Sequence, residues 1–280
     1  MSVTDTLDEL CECVMQISGG TQGRPTDWRG QQASLLFAKL GITCVSFLRV
    51  IPGSRFYAAA DKRLFWDLSA AASLCRNLIE AYYVLFYLST EPANKEEQEF
   101  QEALWEFHAV SERHEMILTA LPSSQKLPEI EAALVTKRER LERSSIFQGK
   151  SAGYQRLLLS GKNFKLPDNI ELSRAAGISE FYFRSQYKYC CTFAHSSPFS
   201  ISQLDSLQAG TPEAERVFRM LVNLTTGYTA CAIRDFIRKH PDQQETLSDN
   251  VLQSIAIWED TLKWEKSPSF NPFDPAKPED

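Results

Sequence analysis

Arg76 and Glu80 stand four residues apart in a stretch, Leu64 to Leu88, that is otherwise almost entirely apolar. Their neighbours at three-and-four spacing are Ser73, Asn77, Tyr83 and Tyr87, which places all six on one side of a helix. A second set repeats the pattern: Arg184, Tyr187, Lys188, Cys191 and His195 share one side of a helix, and Phe181, Tyr182, Tyr189 and Phe193 supply its apolar faces. A guanidinium, a carboxylate, a phenol and an imidazole are side chains that stabilise a developing anion and transfer protons near neutral pH. Two readings follow. In one, the stripes are a satisfied buried network that fixes helix register, because a helix buried all round cannot leave Arg76 and Glu80 unpaired. In the other, both stripes face one pocket. Glu80 and His195 then lie in one cluster, bridged by Arg76 or Tyr187.

These residues need long helices to position them, and the chain supplies them. Asp27 is a suitable N-cap for a helix ending at Pro52-Gly53, and Leu35, Leu36, Leu40, Cys44, Phe47 and Leu48 recur along it at helical spacing. The helix carrying Arg76 runs from about Asp61 to Ser89, and the one carrying His195 starts at Ser179. Charged helices follow over 93–121 and from Pro128 to Ser145, the second dense in Lys, Arg and Glu. There Arg140 reads as a surface arginine, so Arg76→Ala should be the more destabilising of the two substitutions. Further helices run from Pro212 to Lys239 and over 247–266, and a short one over 5–18 ends at Gly19-Gly20. No segment alternates with the two-residue period of a strand. The expected fold is all-α: residues 1–26 form a short helix and loop, 27–266 a helical bundle with the charged helices as an arm packed outside it, and 267–280 a disordered tail rich in proline.

Composition narrows the function classes. A net charge of -6 argues against non-specific nucleic-acid binding over a broad basic face but leaves room for a local basic pocket. The seven cysteines are irregularly spaced, which fits reduced thiols in the cytoplasm. Charges at Arg76 and Glu80 argue against a membrane span over 64–88. Several motifs fail on inspection. Ser144 to Ser151 is one glycine short of a phosphate loop and follows a charged helix rather than a strand. Cys11-x-Cys13 lacks a second pair, and Cys191 with His195 lacks further ligands, so neither a metal nor a cofactor is expected. Arg234 and His240 have the Arg-x5-His spacing of HEPN-type ribonucleases, but chance supplies such a pair in a chain this rich in arginine. Asn271-Pro272-Phe273 in the tail is treated as chance as well.

Two segments carry a resemblance. Ser73-Leu-Cys-Arg76-Asn-Leu-Ile-Glu80 resembles the S-x-x-R-x-x-x-E helix of the prokaryotic family known as domain of unknown function 5677. Tyr187-Lys-Tyr-Cys-Cys191-Thr-Phe-Ala-His195-Ser resembles its Y-x-x-x-S-x-x-x-H helix, with Cys191 in place of the serine. The resemblance covers roughly residues 30–240. It implies a helical protein similar to HEPN-type bundles, some of which are ribonucleases in phage defence. On that analogy the chain is a metal-independent endoribonuclease. His195 is its general acid or base, Arg76 stabilises charge on phosphate, Glu80 orients Arg76, and Tyr187 positions His195. The alternative is a non-catalytic helical module that binds a protein partner or a small ligand. RNA and protein therefore stay open as partners, and a homodimer is compatible with either reading.

Overall fold

The computed structural model describes residues 3–52, 54, 66–90, 92, 94–195 and 197–263. The expected tail, Asn271-Pro272-Phe273 and the helix start at Asp61 lie outside these residues. Among the described residues there are helices and no strand. In chain order they are α1 (Val3–Thr21), α2 (Trp28–Val50), α3 (Leu68–Ser89), α4 (Lys95–Ala120), α5 (Leu127–Glu142), α6 (Ser145–Gln148), α7 (Ala152–Leu159), α8 (Asn169–Ala175), α9 (Glu180–Ala194), α10 (Pro198–Ser206), α11 (Pro212–Ile237), α12 (Pro241–Gln244) and α13 (Asp249–Lys263). They divide into two compact units, one of residues 1–89 with 169–280 and one of residues 90–168.

In the first unit α3 and α11 are the central helices. α3 packs against α2, α8, α9 and α11, and α11 also covers α1 and α13. Tyr82, Tyr83 and Tyr228 are fully buried where α3 meets α11, and the Tyr83 and Tyr228 hydroxyls share a hydrogen bond of 3.0 Å. Asp27 caps α2 as its sequence suggests, its carboxylate accepting from the Gly30 amide at 2.8 Å. α2 is the one described helix long and apolar enough to cross a membrane, and its Phe37, Leu40, Cys44, Phe47 and Leu48 lie in the core. α1 does not stop at Gly19-Gly20 but continues to Thr21. Gly20 allows a close approach to α12: a Cβ there would fall 2.4 Å from the Gln243 side-chain oxygen. Leu7, Leu10, Val14 and Ile17 of α1 are buried, so the helix belongs to the core of this unit.

Two short helices escape a reading of proline as a breaker. Ser197 caps α10 through the Ser200 amide, and Pro198 follows as the first helical residue, where its missing N–H costs nothing. Pro241 likewise opens α12, there without a side-chain cap.

The second unit has its own small core, in which Phe100, Leu104 and Phe107 of α4 meet Leu141, Phe147 and Leu158. Asn94 caps α4 by accepting from the Glu97 amide at 2.8 Å. Arg140 is not an isolated surface arginine. It bridges α5 to α4 through Glu102, at 2.8 Å, and Glu106. Lys137 adds a contact to Glu106 at 2.9 Å.

Candidate functional site

α3 is not buried all round, contrary to the expectation from its sequence. Cys75, Leu78, Ile79 and Tyr82 face the core, while Ser73, Arg76 and Glu80 are partly open and Asn77 is exposed. Its neighbouring helices leave this edge uncovered, so the polar stripe divides. Its first half lines the open edge. Its second half, Tyr83 and Tyr87, goes into the core. Arg76 and Glu80 pair at 3.0 Å with side chains 25% and 37% exposed, which removes most of the penalty that full burial would have imposed.

α9 begins at Ser179, whose hydroxyl accepts from the Tyr182 amide. It buries Phe183, Gln186, Tyr189, Cys190 and Phe193. Phe183 meets Tyr83 of α3 edge-on, with centroids 5.1 Å apart, and stacks on Tyr187 at 5.2 Å. Tyr187 is thereby held against α3. Its hydroxyl donates to Glu80 Oε1, and the Arg76 guanidinium lies 5.9 Å above its ring. The Tyr187 hydroxyl and the Glu80 carboxylate strengthen the charged form of Arg76. Burial, reinforced by Glu80, pushes the Tyr187 phenol up, so it stays protonated at neutral pH and acts as a donor. Arg76 Nε is buried and has no hydrogen-bond partner among the described residues.

The structure therefore brings together Arg76, Glu80 and Tyr187. His195 is placed differently. It is the exposed C-cap of α9, about 12 Å along the helix axis from Tyr187. Among the described residues it forms no hydrogen bond or ion pair with the other three. Cys191 lies between them, partly exposed and close to Arg76 and Tyr187. The predicted stripe of α9 is the helix's open side: Arg184, Lys188 and His195 are exposed and Tyr187 is partly so. Phe181, read from sequence as part of an apolar face, is 78% exposed.

Other groups were not legible as sites. Arg234, half of the Arg-x5-His pair, is held by Asp235 at 2.9 Å and Glu259 at 2.8 Å. His240 packs its ring on Phe236, with centroids 4.6 Å apart, and burial lowers its pKa. The signal for this network was a lone acid, Asp235, in the apolar run Ala230 to Ile237. In the second unit a cavity of about 460 Å³ is lined by His108, Glu112, His114, Arg138 and Lys162, with His108 Nδ1 against the Gly161 carbonyl at 2.5 Å. No residue of either stripe enters it. Among the described residues no group of three or more His, Cys, Asp or Glu side chains is arranged to hold a metal ion.

No curated protein and no solved structure matches this chain. The family of unknown function DUF5677 matches residues 64–210, which include α3 with Arg76 and Glu80 and α9 with Tyr187 and His195. That match spans more than half of the sequence, and the chain belongs to the family of unknown function DUF5677.

Proposed function

We propose that the protein is a HEPN-like endoribonuclease that cleaves RNA without a metal ion, in a defence or stress response. One observation carries the reading: the open side of α9 presents Arg184, Lys188 and His195 to solvent, with Arg76 of α3 at its edge, so an otherwise acidic chain has a local track of cations beside an imidazole. A phosphodiester is the anion such a track would attract. Arg76 borders Cys191, and His195 is one turn further, about 6 Å along the axis, a span that one nucleotide can bridge.

In this mechanism His195 accepts the proton of a ribose 2′-hydroxyl as that oxygen attacks the neighbouring phosphorus. The bond from phosphorus to the 5′-oxygen breaks, and that oxygen takes a proton from water. The products are a 2′,3′-cyclic phosphate and a 5′-hydroxyl. Arg76 stabilises the charge that develops on the phosphoryl oxygens. Glu80 and Tyr187 are positioning residues: the carboxylate holds the guanidinium and the phenol holds the carboxylate.

The test is incubation of the full chain with mixed RNA in the presence of a chelator. Cleavage is expected, and His195→Ala should slow it about a hundredfold or more while leaving the cooperative melt unchanged, because an exposed C-cap histidine contributes little packing. Cleavage only with added divalent metal, or none of any RNA, would refute the proposal. A second reading has its own support. Arg76, Glu80 and Tyr187 pair with one another and His195 stands apart, as in a non-catalytic helical module that binds a protein or a small ligand. Intact RNA after incubation with wild-type protein favours that module.

A further inference from the structure

α9 and α10 enclose an open groove of about 440 Å³ with Phe181 and Phe199 among its lining residues. Both rings are exposed, Phe181 at 78% and Phe199 at 44%. Leaving aromatic rings open to water forgoes part of the stabilisation that burial would bring. Here they border one groove rather than lying scattered, the arrangement that marks a binding surface. Arg184, Ser185, Lys188 and Thr192 line it as well. The lining thus holds two cations and no carboxylate, in a chain of net charge -6. Arg184 Nε donates to Glu180 at 2.7 Å, which steadies the guanidinium while more than half of its side chain stays in water. Lys188 is exposed and makes no ion pair among the described residues.

Helical geometry joins this groove to the polar stripe. Phe181, Arg184, Ser185, Lys188 and Thr192 recur at three and four residues along one face of α9. Tyr187, Cys191 and His195 form the adjacent face, and Arg184 and Lys188 lie between the two. From Phe181 to Thr192 the face runs about 16 Å.

We propose that this groove binds single-stranded RNA, with bases stacked on Phe181 and Phe199 and phosphates on Arg184 and Lys188; the proposal names the substrate class of the site described above and rests on that reading. Aromatic rings alternating with cations are the general solution for a nucleic-acid strand whose bases are free to stack, because every base has a π-face and every linkage a charge. A duplex hides those faces within its own stack, so its bases cannot reach the rings. A purely apolar occupant would leave Lys188 without counter-charge.

The experiment uses the full chain and fluorescence anisotropy with a labelled 2′-O-methyl oligouridine, which cannot donate the 2′ proton and stays intact. A 2′-O-methyl hairpin duplex is the comparison. The single strand should bind about tenfold tighter or more. Phe181→Ala and Phe199→Ala should each weaken it about fivefold or more. Lys188→Gln should lower the slope of log affinity against log salt by about 0.7. A circular-dichroism melt checks that the alanine variants remain folded, which is expected most clearly for Phe181, the more exposed ring. Equal affinity of wild type and Phe181→Ala, equal affinity for duplex and single strand, or no binding overturns the proposal. So does a wild-type dimer in sedimentation that Phe181→Ala dissolves, which would make a second copy the occupant. Unmodified RNA separates the two claims. Stacking-dependent binding without cleavage upholds the groove and refutes the nuclease. Cleavage with Phe181-independent binding does the reverse.

Discussion

Asp235→Ala is the substitution for which the structure sets the firmest magnitude. Asp235 is 2% exposed and lies in α11 against α3. Its carboxylate accepts from the Tyr82 hydroxyl at 3.0 Å, from Arg234 Nε and Nη2 at 2.9 Å each, and from Arg238. Removing it leaves the Tyr82 hydroxyl, fully buried, with only a long contact of 3.5 Å to Arg234, which is itself a donor. A stranded buried hydroxyl costs about 1–3 kcal/mol. Arg234 is 16% exposed and keeps Glu259 at 2.8 Å, so it loses one of two counter-charges rather than its only one. That loss adds on the order of 1–2 kcal/mol, below the figure for an orphaned buried charge. Arg238 is mostly exposed and contributes nothing. The total is about 2–5 kcal/mol, or roughly 4–20 °C in melting temperature for a unit of this size. The assay is urea unfolding followed by circular dichroism, with a fall in the midpoint at unchanged slope. Asp235→Asn keeps an acceptor for one donor and should fall between wild type and alanine. A loss below about 1 kcal/mol for Asp235→Ala would refute the reasoning, because the network would then have to be reached by water.

Alkaline pH should unfold the protein. Burial raises the phenols of Tyr83 and Tyr182 from 10.0 to about 12, and the thiols of Cys13 and Cys231 from 9.0 to about 11 and about 12. For each group the unfolded form sheds its proton first. The stability is fully present below the unfolded values of 9.0 and 10.0 and is lost as pH climbs through the folded ones. Urea midpoints should therefore fall steadily from pH 9 to pH 12, and a flat profile would refute this. Arg76→Ala and Arg140→Ala should cost similar amounts, each on the order of 1 kcal/mol, because both guanidiniums are partly solvated and paired. A loss of 3–5 kcal/mol for Arg76→Ala alone, read from urea unfolding, would mean that its edge of α3 is closed to water.

What the sequence by itself determined is local to single helices. The 3.6-residue period, the Asp27 cap and the i,i+4 spacing of Arg76 and Glu80 involve neighbours on one chain segment, so residue types alone define them. The two family segments around Arg76 and His195 are local in the same sense and were readable for that reason. What lies across from a helix face is a long-range matter. Only packing decided that the stripe on α9 faces solvent, that Phe181 is exposed, and that Tyr187 reaches Glu80 while His195 ends the helix two turns away. Pro198 shows the same limit at a helix start: it breaks a helix from within and begins one at its first turn, and Ser197 ahead of it selects the second role. The partnership of Asp235 with Tyr82 joins side chains 153 positions apart in sequence. No period or spacing connects such positions. They meet because α3 and α11 bury their apolar faces against each other, and the polar groups caught at that seam must find partners there.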